Sequence, residues 1–134
     1  MPLTGLANAA MGVINAASDN VPILVMSGRT PITEAGRRGA RMTPIQYGQE
    51  MYDQSSLVAD SVKFHYEMRY PEQGEPLVSR AMALAMSAPK GPVYLSLPRE
   101  VLCETVAGEN LLAPQTMQPV KAAADRGAIE QAAR

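Results

Sequence analysis

From Thr4 to Arg29 the chain reads TGLANAAMGVINAASDNVPILVMSGR: a glycine turn, an amphipathic helix, a tight connection, a short apolar strand and a second glycine at the strand's end. A helix that runs at once into a buried strand is part of a crossover unit. It implies a parallel α/β sheet whose carboxyl-end loops carry the chemistry. The unit opens at the turn, with no strand ahead of it, so the fold class expected is α/β with an incomplete parallel sheet flanked by helices. Thr4 suits the N-cap of a helix starting at Gly5. Leu6, Ala10, Val13, Ile14 and Ala17 then fall on one helical stripe. Asp19-Asn20 ends the helix and Pro22 blocks its continuation. Pro22 to Ser27 is an unbroken apolar run, which predicts a strand buried on both faces and closed by Gly28.

Further along, Arg29 to Pro44 is polar and rich in Gly, Arg, Thr and Pro, with arginines at 29, 37, 38 and 41. Its length exceeds an ordinary connection and favours a functional or interface loop; solvated arginines are its plain reading. Ile45 to Val58 predicts short helical turns. Ser61 to Arg69 alternates Val62, Phe64, Tyr66 and Met68 with Lys63, His65, Glu67 and Arg69, the period of a half-exposed strand that puts His65 on the polar face. A second amphipathic helix spans Glu75 to Ala88, with Leu77, Ala81, Leu84, Ala85 and Ala88 as its stripe. Pro89-Lys90-Gly91-Pro92 stops it, and Val93 to Leu97 is a buried strand closed by Pro98. Val101 to Val120 has no periodic stripe and reads as an extended linker. A helical pattern resumes at Asp125, a candidate N-cap.

Composition narrows the function. A formal net charge of −1 removes the electrostatic case for nucleic acid or an anionic membrane surface. No window approaches the roughly 18 apolar residues of a membrane span. The N-terminus has no basic region or apolar core of a signal peptide, and one cysteine, Cys103, allows no intrachain disulfide or multi-cysteine metal site. Both fit a cytoplasmic protein. One histidine, His65, allows no histidine metal cluster. No Ser/His/Asp order, HExxH, CxxC or phosphate loop is present. The remaining candidates are modest. Gly5 and Asn8 could let backbone approach a ligand while an amide orients it, or could simply start a helix. Gln49 offers an uncharged amide for a ligand. Glu50 and Asp53 could share a helix face for acid–base work, or be a solvated pair.

Three stretches in series resemble the thiamine-diphosphate-dependent enzymes of the acetolactate synthase, benzoylformate decarboxylase and pyruvate oxidase group: TGLANAAMGVINAASDNVPILVMSG, then QEMYDQ with VKFHYE, then APKGPVYLSLPREV. The resemblance runs from Thr4 to about Leu102 and is to the N-terminal, pyrimidine-binding domain. It implies a thiamine-diphosphate-binding fold lacking its first strands over residues 1–102, a linker over 103–124 and the start of a truncated central domain over 125–134. It implies thiamine diphosphate with Mg2+ in a full enzyme, a flavin as in some relatives, a 2-oxo acid substrate and a homodimer or homotetramer. Gly5 and Asn8 match the glycine-rich turn beside the cofactor's pyrimidine side, Gln49 matches a glutamine facing the active site, and Gly28 matches the glycine closing the central strand. Gly48 stands where acetolactate synthases have Phe. The glutamate that assists the cofactor and the Gly-Asp-Gly…Asn metal and diphosphate motif have no counterpart here, so no catalytic or metal residue is assigned. The expectation is part of an acetolactate synthase-like enzyme, inactive alone. The alternatives are a decarboxylase of the benzoylformate or acyl-CoA type, or a non-catalytic remnant that only associates with a partner chain.

Overall fold

In a computed structural model, which describes residues 2–108 and 116–133, the elements follow as α1 (Pro2–Ser18), β1 (Leu24–Arg29), α2 (Ile45–Gly48), β2 (Phe64–Glu67), α3 (Gly74–Met86), β3 (Val93–Pro98), α4 (Arg99–Leu102) and α5 (Arg126–Ala132). Short 3-10 turns at Ser55–Leu57, Ala59–Ser61 and Pro71–Gln73 fill the connections. The three strands form one parallel sheet in the order β1-β3-β2. β3 is last in sequence and central in space, and all but one of its residues are buried.

The two amphipathic helices cover opposite faces. On one, Leu77, Ala81 and Ala85 of α3 pack on Val93 and Leu95, with Met68, Val101, Phe64 and Tyr66 around them. On the other, Leu6 and Val13 of α1 pack on Tyr94, Val58 and Val25. Alanines on α3 let the helix sit close, and each large apolar side chain buried this way contributes about 1.5–3 kcal/mol.

Several expectations need correction. α1 begins at Pro2, so Thr4 and Gly5 lie inside the helix rather than at a cap and turn; proline is favoured in a first turn, where its missing N–H costs nothing. The end of α1 is as expected: Asn20 takes a left-handed φ of 54°, and the Val21 N–H reaches the Ala16 carbonyl at 2.8 Å, a Schellman closure. β1 is not buried on both faces. It is an edge strand of this sheet, and Met26 is 53 % exposed. It also runs through Gly28 to Arg29, because pairing continues opposite Leu97 and Pro98. The linker reading fails at its start: α4 intervenes and Val101 is buried. Residues 109–115 of the expected linker lie outside the described residues. Residues 116–120 lie along α3, with the Val120 N–H donating to Ser87 Oγ at 2.9 Å and the Ala88 N–H to the Val120 carbonyl at 2.9 Å. Asp125 caps α5 as expected, accepting from the Ala128 N–H at 2.9 Å.

Candidate functional site

Near the carboxyl ends of the strands, the sheet face that packs on α1 turns from apolar to polar. Parallel register sets Ser27, Ser96 and Glu67 side by side. Ser96 is fully buried and small, and Arg29 on one edge strand reaches across it to Glu67 on the other. Arg29 Nη1 donates to both Glu67 carboxylate oxygens at 2.7 Å, and Ser96 Oγ donates to Oε2 at 3.1 Å. Gln54, buried in an irregular stretch, completes this layer. Its Nε2 lies 2.8 Å from Ser27 Oγ, 3.0 Å from the Tyr94 hydroxyl and 3.1 Å from the Gly28 carbonyl. A neutral amide meets these partners without burying a charge.

The long loop after β1 is held by two carboxylates. Glu100 Oε1 accepts the Ile32 N–H at 2.7 Å, the Thr33 N–H at 2.9 Å and the Thr33 hydroxyl at 2.9 Å. Glu50 pairs with Arg41, whose guanidinium lies 4.4 Å from the centre of the Tyr47 ring and whose Nε donates to the Pro31 carbonyl at 2.6 Å. Burial raises the Glu100 pKa, but the hydrogen bonds from Thr33, Ile32 and its own N–H outweigh this and leave the carboxyl below its ordinary value. A depressed folded pKa contributes stability above the unfolded carboxylate value and loses it as pH falls through the folded one. Urea midpoints measured from neutral pH down into the acid range are therefore expected to fall less steeply in Glu100→Gln than in the parent chain. Parallel pH profiles would remove this role.

Beside the loop lies a cleft of about 390 Å³, walled by Pro31, Ile45, Leu97 and Leu102 and lined on its polar side by Gln49 and Arg99. Gln49 is half-buried, and its carbonyl accepts the Thr30 hydroxyl at 3.2 Å. Exposed Gly28 also lines this cleft. Gly5 and Asn8 do not. Both are exposed on α1, and a Cβ at Gly5 would meet no protein atom within 4 Å. α1 packs on β1 and returns into it through a tight connection, so its N-terminal end lies on the carboxyl-end side of the sheet.

Other candidates separate. Glu50 and Asp53 share no helix: Glu50 pairs with Arg41, and Asp53 Oδ1 accepts the Ser55 N–H at 3.0 Å. His65 is exposed, as its place in the alternation predicted. The solvated-arginine reading holds for exposed Arg37 and Arg38 but not for Arg29 and Arg41, which are ion-paired. Sequence reasoning missed Gln54 and Arg99, both of which lie in the stretches that carry the family resemblance. Among the described residues no group of three His, Cys, Asp or Glu could hold a metal ion, and no helix is long and apolar enough to cross a membrane.

No family model matches the chain. It is 28 % identical over 100 residues to the acetolactate synthase large subunit of Lactococcus lactis, covering 72 % of this chain and 15 % of that protein. It is 31 % identical over 103 residues to a Pseudomonas aeruginosa protein named probable 2-ketoarginine decarboxylase, covering 77 % and 17 %. Among solved structures it superposes on a thiamine diphosphate-dependent 4-hydroxybenzoylformate decarboxylase from Rhodococcus jostii with a TM-score of 0.65 at 22 % identity, over 98 % of this chain and 23 % of that one. The chain thus spans 15 % to 17 % of the length of these two curated relatives.

Proposed function

Because the chain is homologous to one segment of the thiamine-diphosphate-dependent enzymes, we propose that it forms part of the pocket for the cofactor's aminopyrimidine side in an acetolactate synthase-like enzyme acting on 2-oxo acids. The observation that carries this reading is the cleft at the strand ends, where the Gln49 amide and exposed Gly28 lie together. When bound, the cofactor supplies an electron sink for decarboxylation and carbon–carbon ligation. This chain's groups suit one side of it. The amide of Gln49 can donate to and accept from a neutral heteroaromatic ring, and Gly28 leaves backbone open beside it. Among the described residues no three His, Cys, Asp or Glu gather to hold a metal ion, and this proposal places the metal and diphosphate sites outside this segment. A flavin is not part of the proposal.

A homodimer or homotetramer accompanies this reading. Met11 and Ile14 on the outer side of α1 and Met26 on β1 are exposed apolar groups that a subunit contact would cover. A cytoplasmic location with Cys103 as a free thiol also belongs to the proposal. A decarboxylase without ligation is the second reading, favoured by the name of the Pseudomonas relative. Product analysis on an enzyme carrying this segment separates the two: a ligated product points to the synthase, an aldehyde alone to the decarboxylase.

Calorimetric titration of the purified chain with thiamine, which has the aminopyrimidine but no diphosphate, tests the pocket. Saturable binding weakened several-fold in Gln49→Ala is expected, since a buried ligand hydrogen bond is worth about 0.5–1.5 kcal/mol. Failure to saturate would sink the assignment. Given pyruvate, thiamine diphosphate and Mg2+, the chain alone is expected to release no carbon dioxide above the uncatalysed rate; steady release would overturn the partial-pocket reading.

A further inference from the structure

Resting on the 2-oxo acid reading, we propose that Arg99 is the carboxylate anchor of the Gln49 cleft, holding a short monocarboxylate whose body lies against Ile45, Leu97 and Leu102. Arg99 is half-buried at the start of α4, where β3 delivers it to the strand ends. A guanidinium carries five N–H donors in a planar fork suited to a carboxylate. The hydrogen bond found for this one goes to Met42 Sδ, at 3.3 Å, and a thioether is a weak acceptor.

The lining of the cleft sharpens the ligand class. It contains no Asp or Glu. Its other cation, Arg29, is already balanced by Glu67. The cleft therefore presents about one uncompensated positive charge, which fits a monoanion better than a diphosphate. Gln46 Oε1 is occupied by the Met42 N–H at 2.7 Å, which leaves its Nε2 donors for a ligand, and Gln49 adds a second amide. Amide donors beside an anion anchor fit a second oxygen next to the carboxylate, as a 2-oxo acid has. The apolar wall sets a limit: Ile45 and Leu102 are each 56 % exposed, so a small aliphatic body gains cover from both. The neighbouring cleft behind the loop differs in that carboxylates line it: Glu100 and Glu104 stand there beside Arg37, Arg38 and Arg69.

The test is titration of the 15N-labelled chain, without cofactor, by 2-oxobutyrate. The Arg99 Nε–H resonance and the Gln46 and Gln49 side-chain amides are expected to shift together and saturate. Arg99→Met, which keeps the apolar stem, is expected to weaken binding about tenfold or more while its backbone spectrum stays folded; Arg99→Lys is expected to recover part of it. Binding by Arg99→Met within twofold of the parent, or shifts that never saturate, would overturn the anchor. Butyrate separates this from the underlying reading. If butyrate binds as tightly as 2-oxobutyrate and equally needs Arg99, the anchor stands and the 2-oxo acid reading falls.

Discussion

Leu95→Ala is expected to lower the stability of the folded chain by about 3–5 kcal/mol, a large share of the roughly 5–15 kcal/mol that a domain of this size commands. Leu95 has no exposed surface and sits in the middle of the central strand, paired with Met26 on one side and Tyr66 on the other. Its side chain belongs to the cluster under α3, and nothing there can collapse freely: β3 is fixed by both neighbours, and Ala81 and Ala85 are too small to fill the space. The removed methyl groups lose their transfer free energy, and the cavity adds its own cost. Urea unfolding followed by far-ultraviolet circular dichroism measures it. Val120→Ala, at a position 69 % exposed, is the control and is expected to stay within about 0.5 kcal/mol. A loss below about 1 kcal/mol for Leu95→Ala would mean that the cluster under α3 is not the core.

Gly39→Ala is expected to cost about 2–4 kcal/mol and to loosen the loop over the candidate cleft. Gly39 has a φ of +80°, and a Cβ there would lie 2.9 Å from Glu100 Cα and 3.0 Å from the Arg99 carbonyl oxygen. Both are backbone, so the loop must move away from α4. That movement pulls Ile32 and Thr33 from the Glu100 carboxylate and shifts the segment beside Arg99. Gly36 makes the comparison clean: its φ is +72°, but a Cβ would meet nothing within 4 Å. Gly36→Ala should therefore cost only the left-handed strain, about 1–2 kcal/mol. Hydrogen exchange at the Thr33 amide reads the difference. It should quicken markedly in Gly39→Ala and little in Gly36→Ala. Equal effects would show that contact with α4 does not set the loop.

Each local element was legible because its burial pattern is local. Leu6 and Val13, seven residues apart on α1, and Leu77, Ala81 and Ala85 on α3 are buried where their spacing placed them, and Phe64 and Tyr66 face the core while His65 does not; Ile14 and Ala88, expected on the same two stripes, are exposed, Ala88 because α3 ends at Met86. The length and irregularity of the loop and the turns after Ile45 were also readable from composition. What the sequence left open is lateral. No local pattern says that β3 lies between β1 and β2. Without that order Arg29 is one more loop arginine, Glu67 one more polar residue on a strand, and Ser96 an unexplained serine in an apolar run. The order also decides that Met26 is exposed in a run that reads as buried, since β1 has a neighbour on only one side in this sheet. The candidate site follows the same rule. Gln49 was identified from its segment, but its company with Arg99 and Leu102, about fifty positions away, exists only because a parallel crossover returns the chain to the same end of the sheet. Periodicity records which side of an element is buried, and crossover packing chooses the neighbours that side meets; chemistry that needs two elements is therefore fixed by tertiary structure.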